Sequence, residues 1–471
     1  MRVGENLLRN IEHVIAGNSA RSIIMVVFTI YIIHIISVQD FGVYSTILAF
    51  SAITTAFVNF GLDTYLTREI SRKRDIFIPM MGAVTRVRFL LFAISEVLLY
   101  SILRVLGYST EITILALFFA FDPLLCFLLD SFYSIFYVEG KTRPVALAEF
   151  GKRALLLFLV LFTAHKGLYW IIASYVVADS ITLILLYLKY RSVVGGFPRE
   201  GSMSTVRILK RSFPFSLQAL TGIFFWNVDT MMVSKFLGSV PTGFYNVGAT
   251  IFKAIYFIPQ AFNSVLFPRI SEAHSEGQLA GLKGPILESM KSLLLIAVGI
   301  VLYSQTSISY YIPILFGGKY APAMKLMGPM SLIVLFYFPA FVGQNILMAI
   351  GREGEAVRTL VIANLANFTL NLILIPLFGL IGAVYGTVIS QAMFLAATLY
   401  YLRDIIPVIL PPKELARSLV IGTAAWLLTA GAVALLERRV SPIWADNVYL
   451  LTLYLLYRTG VIRVEEFRLV I

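Results

Sequence analysis

The stretch Tyr169-Trp170-Ile171-Ile172-Ala173-Ser174-Tyr175-Val176-Val177-Ala178-Asp179-Ser180-Ile181-Thr182-Leu183-Ile184-Leu185-Leu186-Tyr187 decides the fold class, because its single charged side chain is Asp179. A helix needs about 20 mainly apolar residues to cross the hydrocarbon of a bilayer, and this run has that length. Ile23 to Ser37, Leu155 to Thr163, Leu293 to Tyr303 and Leu419 to Leu436 lie in segments of the same kind. The whole chain agrees: of 471 residues 59% are hydrophobic and 14% charged, with a mean hydropathy of +0.84. Soluble proteins average roughly half apolar and a quarter charged. Lipid is therefore the solvent for most of this chain.

The longest hydrophilic stretches, Lys189 to Arg211 and Arg269 to Lys283, are too short to bury a core of their own. The one cysteine, Cys126, lies in an apolar run, so neither a disulfide framework nor a paired-cysteine metal site is expected. Met1 to Asn18 is basic and leads into an apolar run too long for a signal peptide, which reads as a retained first helix. The net charge of +12 does not point to nucleic acid, since the basic residues are scattered at the ends of apolar segments. Lysine and arginine are retained on the cytoplasmic side of membranes. Clusters such as Arg68, Arg72, Lys73 and Arg74, then Lys141, Arg143, Lys152 and Arg153, then Lys189 through Arg211, place those loops inside. Arg438 and Arg439 fall in a loop expected outside and are the exception.

The apolar periodicity predicts an all-α polytopic protein of about 14 spans, near residues 11–37, 41–66, 82–106, 112–137, 144–164, 168–189, 213–237, 243–267, 285–316, 322–349, 356–376, 380–402, 414–436 and 443–461. Set against itself at an offset of 201, the chain pairs Gly42-Val43-Tyr44 with Gly243-Phe244-Tyr245, Arg68 with Arg269, and His34 with Lys235. A slightly larger offset pairs Glu139-Gly140-Lys141 with Ile350-Gly351-Arg352. Two six-helix lobes follow, 1–200 and 201–405, related by a pseudo-two-fold along the membrane normal, with an extra helix pair and tail at 406–471. Such parallel repeats occur in transporters that alternate access, so a carrier is favoured over a channel or an anchor. Both termini are expected in the cytoplasm.

Gln39-Asp40-Phe41-Gly42-Val43-Tyr44, Phe60-Gly61-Leu62-Asp63 and Arg68-Glu69-Ile70 resemble the opening of the oligosaccharide flippases, the polysaccharide-transporter (Wzx-like) branch of the multidrug, oligosaccharidyl-lipid and polysaccharide exporter superfamily. Asp229-Thr230-Met231-Met232, Gly243-Phe244-Tyr245-Asn246-Val247-Gly248 and Phe267-Pro268-Arg269-Ile270-Ser271 resemble that family's seventh and eighth helices. Asn367 through Pro376 and Gly379-Leu380-Ile381-Gly382-Ala383 resemble its eleventh and twelfth. Where the family often has an arginine and a Leu-Gly pair, this chain has His34 and Ile36-Ser37, while Lys235 keeps a charge in the second repeat. The resemblance implies a two-lobed bundle in the plasma membrane that turns a polyprenyl- or dolichyl-diphosphate oligosaccharide from the inner to the outer leaflet. It also implies function as a monomer, without a cofactor, among membrane lipids and beside glycan assembly enzymes.

A diphosphate at bilayer depth needs cations, because an unpaired charge there is prohibitively costly. Arg21 and Lys253 lie deepest in the expected helices, with Arg86 and Arg88 near the inner mouth. An ionisable group inside the membrane is a functional candidate by default; the plainer reading of each is snorkelling or a structural ion pair. Glu96, Asp122, Asp130, Asp179 and Asp229 are candidates for ion coupling or for charge pairing. Asn364, Asn367 and Asn371 share one helix face and could line a glycan cavity, although such amides more often join neighbouring helices. Gly382 and Gly386 have the spacing of a close helix crossing, and Pro123, Pro259 and Pro339 could kink their helices.

Enzyme signatures do not emerge. Gly140-Lys141-Thr142 resembles the end of a phosphate-binding loop, but Ile135 stands where its opening glycine belongs. Neither metalloprotease histidine spacing nor a nucleophile elbow occurs among the sequence's motifs. Two alternatives remain: a multidrug and toxin extrusion antiporter, supported by the membrane carboxylates, and a membrane-embedded polymerase or ligase of surface polysaccharide. The latter would need a large outer loop, and the loops here are short.

Overall fold

A computed structural model describes residues 24–72, 77–138, 142–194, 204–306 and 308–405. Arg21 and the expected helix pair beyond 406 lie outside these residues. Among the described residues there is no strand. The helices are α1 (Ile24–Ile35), α2 (Val38–Asn59), α3 (Leu62–Arg72), α4 (Phe77–Val105), α5 (Thr110–Phe119), α6 (Phe121–Val138), α7 (Thr142–Thr163) and α8 (Leu168–Val194). They continue as α9 (Thr205–Leu237), α10 (Ser239–Ile255), α11 (Phe257–Ser275), α12 (Lys283–Thr306), α13 (Ile308–Phe316), α14 (Met324–Ala349), α15 (Glu353–Phe378) and α16 (Leu380–Tyr401).

Several expected helices are in fact broken, for local reasons. The segment expected over 41–66 divides into α2 and α3 because Phe60 and Gly61 both take left-handed backbone angles, φ 37° and 68°. Pro123 and Pro259 each sit third in a new helix rather than at an interior kink. A proline has no N–H to give the carbonyl four residues back, and α5 and α10 end at those residues, Phe119 and Ile255. Pro339 stays inside α14. At the other ends, Ser37 Oγ accepts from the Asp40 amide at 3.0 Å and Ser109 Oγ from the Ile112 amide at 3.3 Å, satisfying first-turn donors of α2 and α5. Single glycines with positive φ, Gly238 and Gly379, turn α9 into α10 and α15 into α16.

Among the described residues six segments are long and apolar enough to cross a membrane: Val38–Arg72, Thr110–Val138, Leu168–Lys189, Gly318–Ala349, Glu353–Phe378 and Leu380–Tyr401. The burial pattern of α15 names its solvent. Leu365, Phe368 and Leu372 are exposed along one face, while Asn367 and Asn371 are buried on another. That inversion would be unstable in water and is ordinary in hydrocarbon, where amides bond between helices and apolar side chains meet acyl chains. The protein is a multi-pass membrane protein.

The chain forms two compact units, Met1–Gly243 and Phe244–Ile471. In the first, α2 packs along α4 and α9, α7 and α6 pack on α8, and α3 packs on α6. The core here gathers Tyr65 and Leu66 of α3, Met80 and Val84 of α4, and Leu129 and Tyr133 of α6. Helix α9, placed by the sequence repeat at the start of the second half, is packed on α2, α3 and α4 of this unit. One crossing is reciprocal. A methyl group added at Gly42 would fall 1.7 Å from the Ser239 carbonyl oxygen, and one at Gly243 would fall 2.5 Å from the Val38 carbonyl oxygen. Residues 38 and 239, like 42 and 243, are partners at the offset of 201, so the two glycines meet positions that are themselves related by that offset. In the second unit α14 packs on α11, α12 and α16, and α15 lies along α16.

Candidate functional site

Ionisable side chains collect inside the first unit. On α6, Asp122, Cys126 and Asp130 recur every fourth residue, followed by Tyr133, and so share a face. Helix α7 turns Glu149, Lys152 and Arg153 toward them, and α8 brings Tyr175 and Asp179, one turn apart. Asp63 of α3 and Arg88 of α4 close the group at one end, and Tyr44 of α2 at the other.

Arg88 is wholly buried. Its guanidinium donates to Asp63 and, at 2.6 Å, to Ser131 Oγ, and lies 5.6 Å from the centre of the Phe127 ring. Lys152 is 3% exposed and pairs with Glu149 at 2.9 Å, and Tyr133 donates to the same carboxylate oxygen at 3.1 Å. The Lys152 ammonium also reaches Cys126 Sγ at 3.7 Å, and that thiol donates to Asp179 Oδ2 at 2.8 Å. Asp122, Cys126 and Asp179 bring one side-chain atom each within 4.8 Å of one another. Above them the Tyr44 and Tyr175 hydroxyls are 2.6 Å apart. Among the described residues, three cations in this interior, Arg88, Lys152 and Arg153, face five carboxylates, Asp63, Asp122, Asp130, Glu149 and Asp179.

The remaining candidates are spread out. Arg86 is exposed on α4, and Lys253 is exposed near the end of α10. Glu96 is half-buried on α4 facing Thr54 of α2, and Asp229 is half-buried on α9. In the second unit, Asn371 Nδ2 donates to Asn367 Oδ1 at 3.1 Å and Asn367 Nδ2 reaches Ser390 Oγ of α16 at 3.4 Å, with Asn364 half-buried beside them. Gly386 makes room for this chain of amides: a methyl group there would meet Asn371 Oδ1 at 2.3 Å, and one at Gly382 would meet the Leu374 carbonyl at 2.0 Å. The glycine pair thus serves the packing of α15 on α16.

The pattern of the family described as "Polysaccharide biosynthesis protein" matches residues 7–274, more than half of the chain. The chain belongs to this family. Among curated relatives of this chain, "Uncharacterized membrane protein MJ1068" of Methanocaldococcus jannaschii is 23% identical over 53% of the chain and 50% of the relative. "Probable low-salt glycan biosynthesis flippase Agl15" of Haloferax volcanii is 24% identical over 45% of each. The chain therefore spans about half the length of these two relatives. Among solved structures, "Lipid II flippase MurJ, inward closed conformation" superposes with a TM-score of 0.74 at 16% identity, covering 96% of this chain and 100% of the other. An inward-facing multidrug resistance MATE transporter gives 0.62 at 14% identity, over 83% of this chain and 95% of the other. The fold is that of these membrane transporters.

Sequence reasoning missed part of the buried network. Lys152 and Arg153 belong to a run counted with the cytoplasmic loops, yet both lie midway along α7 and Lys152 is buried. The available signal was Glu149, one turn before Lys152: a helical acid–base pair with apolar sequence on both sides. Asp63 stood in a recognised motif without a role, and Arg88 supplies it.

Proposed function

We propose that the chain is a flippase, a carrier without enzymatic chemistry, that moves a polyprenyl- or dolichyl-diphosphate oligosaccharide from the inner to the outer leaflet by alternating access. The observation that carries this reading is membership of a polysaccharide biosynthesis family joined to a fold shared with a lipid II flippase along nearly the whole chain. The glycan flippase name of the Haloferax relative supports the same substrate class. Two six-helix lobes and a C-terminal pair, with boundaries at 200 and 405, about 14 spans, cytoplasmic termini, a plasma-membrane location and a working monomer beside glycan assembly enzymes complete the proposal. Arg21, Lys253 and Arg86 are its candidates for the diphosphate. Arg88, engaged by Asp63 and Ser131, is given a structural part, and the Asn364, Asn367 and Asn371 face joins α15 to α16.

The test is reconstitution with a fluorescent lipid-linked oligosaccharide, scored by its access to an outer-leaflet reagent. The native chain flips it, and Arg21→Ala and Lys253→Ala slow it about ten-fold or more, since a hydrogen bond to a charged group contributes roughly 1.5–3 kcal/mol. Equal rates in all three remove the site assignment. Absent flipping with efflux of cationic dyes replaces the flippase by an antiporter.

A further inference from the structure

Charge balance inside the first unit leaves something out. Arg88 is paired with Asp63, and Lys152 with Glu149. Arg153 then remains against Asp122, Asp130 and Asp179, so among the described residues this interior carries two more negative than positive side chains if all are ionised. Uncompensated charge in a low-dielectric interior costs several kcal/mol per ion. A second observation locates part of the missing positive charge. Asp122 Oδ1 is sealed from solvent and accepts no hydrogen bond among the described residues, although an ionised carboxylate oxygen without a donor is among the costliest buried groups. Asp179, 2% exposed, stands against it across the α6–α8 contact. Two carboxylates that close repel when both are ionised and bind each other when one carries a proton.

We propose that Asp122 and Asp179 hold one proton between them, with the Cys126 thiol as the third member of the site. Asp122 provides the O–H and Asp179 the acceptor, while Cys126 donates to Asp179 Oδ2 at 2.8 Å. The groups facing the pair come from every neighbouring helix: Lys152, Arg153 and Glu149 of α7, Tyr175 of α8, Tyr44 of α2, and Asp130 and Tyr133 on α6 itself. Asp63 of α3 and Arg88 of α4 lie farther along the same network. Lys152 and Arg153 make the pair a poor host for a divalent ion and set the charge against which one proton binds. Coupling of that proton to transport rests on the flippase reading, whereas the proton site itself does not.

Infrared difference spectroscopy of the full chain in lipid, stepped in pH at constant sodium, tests the site directly. The native protein is expected to show a protonated-carboxyl C=O band that titrates. Because Cys126 is the only cysteine, its S–H stretch moves at the same pH as the shared proton leaves. Asp122→Asn and Asp179→Asn remove the carboxyl band and about one titrating proton per chain; Asp130→Asn keeps both features. Cys126→Ser deletes the S–H band alone and leaves the carboxyl band, which keeps the test readable if an aspartate variant fails to fold. A native spectrum without the titrating pair of bands overturns the proposal. So does a thiol band that follows sodium at fixed pH, which would put a metal cation in the proton's place. In vesicles, an imposed pH gradient is expected to change the flipping rate of the native chain and not that of Asp122→Asn. If the native chain moves no lipid-linked oligosaccharide, the flippase reading falls while the infrared titration still decides the site.

Discussion

Replacing Gly42 by alanine probes the reciprocal crossing of the first unit. The new methyl carbon would lie 1.7 Å from the Ser239 carbonyl oxygen and 2.6 Å from its carbonyl carbon, where ordinary contact begins near 3.4 Å. Helix α2 and the start of α10 would have to part by about 1.7 Å, the difference of those two distances. The obstacle is backbone, so no rotamer change relieves it. Parting there also strains what α2 holds nearby, including the Thr46 hydroxyl donating to Ser234 Oγ at 2.7 Å. Overpacking costs about 1–3 kcal/mol, and a clash with backbone belongs at the upper end, about 3 kcal/mol. For Gly243→Ala the nearest obstacle, the Val38 carbonyl oxygen, is 2.5 Å away, a smaller deficit and a cost of about 1–2 kcal/mol. Gly151, midway along α7 with nothing within 4 Å of an added methyl group, provides the control, and alanine there is expected to stabilise by about 0.5–1 kcal/mol.

The three variants are compared by thermal unfolding of the purified chain in one detergent, read as loss of the monodisperse species. The expected order of midpoints is Gly42→Ala lowest, Gly243→Ala next, native above both, and Gly151→Ala at or above native. A Gly42→Ala protein that melts with the native chain would refute the crossing, and with it the meaning given to the repeat offset of 201.

Three further outcomes follow from buried contacts. Asp63→Leu leaves the wholly buried Arg88 with Ser131 as its remaining described hydrogen-bond acceptor and should cost about 3–5 kcal/mol of stability; Arg88→Met added to it should return much of that loss, and a denaturant double-mutant cycle showing simple additivity would contradict the pairing. Gly386→Ala should cost about 1–3 kcal/mol by driving a methyl group into Asn371 Oδ1. In the Asn371→Ala background the same change should cost less, as read by the same melts. Lys152→Met takes the countercharge from Glu149, so the fraction of chain recovered folded should fall sharply and rise again when Glu149→Gln is added, with no rise arguing against the 2.9 Å pair.

What the sequence made legible divides along the range of the interactions. The spans were legible because lipid imposes its pattern within a single helix: the run from Tyr169 to Tyr187 needs no partner to declare itself. The glycines at 42 and 243 stood out in the sequence for a related reason, since both must be small for one crossing to close, and a shared steric demand leaves a shared residue. Helix breaks were partly hidden, because Pro123 and Pro259 forbid a hydrogen bond four residues upstream without saying whether the chain kinks or starts anew. The buried network was the least legible part. Asp122, Lys152 and Asp179 come from α6, α7 and α8, and nothing local tells a lysine that enters a bundle from one that marks the cytoplasmic face. The positive-inside rule describes where charges gather and not what they touch, so it absorbed Lys152 and Arg153. Their cost of burial is what reassigns them: an ammonium that is 3% exposed between Glu149 and Cys126 is held by its partners, and those partners in turn leave Asp122 and Asp179 to compensate each other.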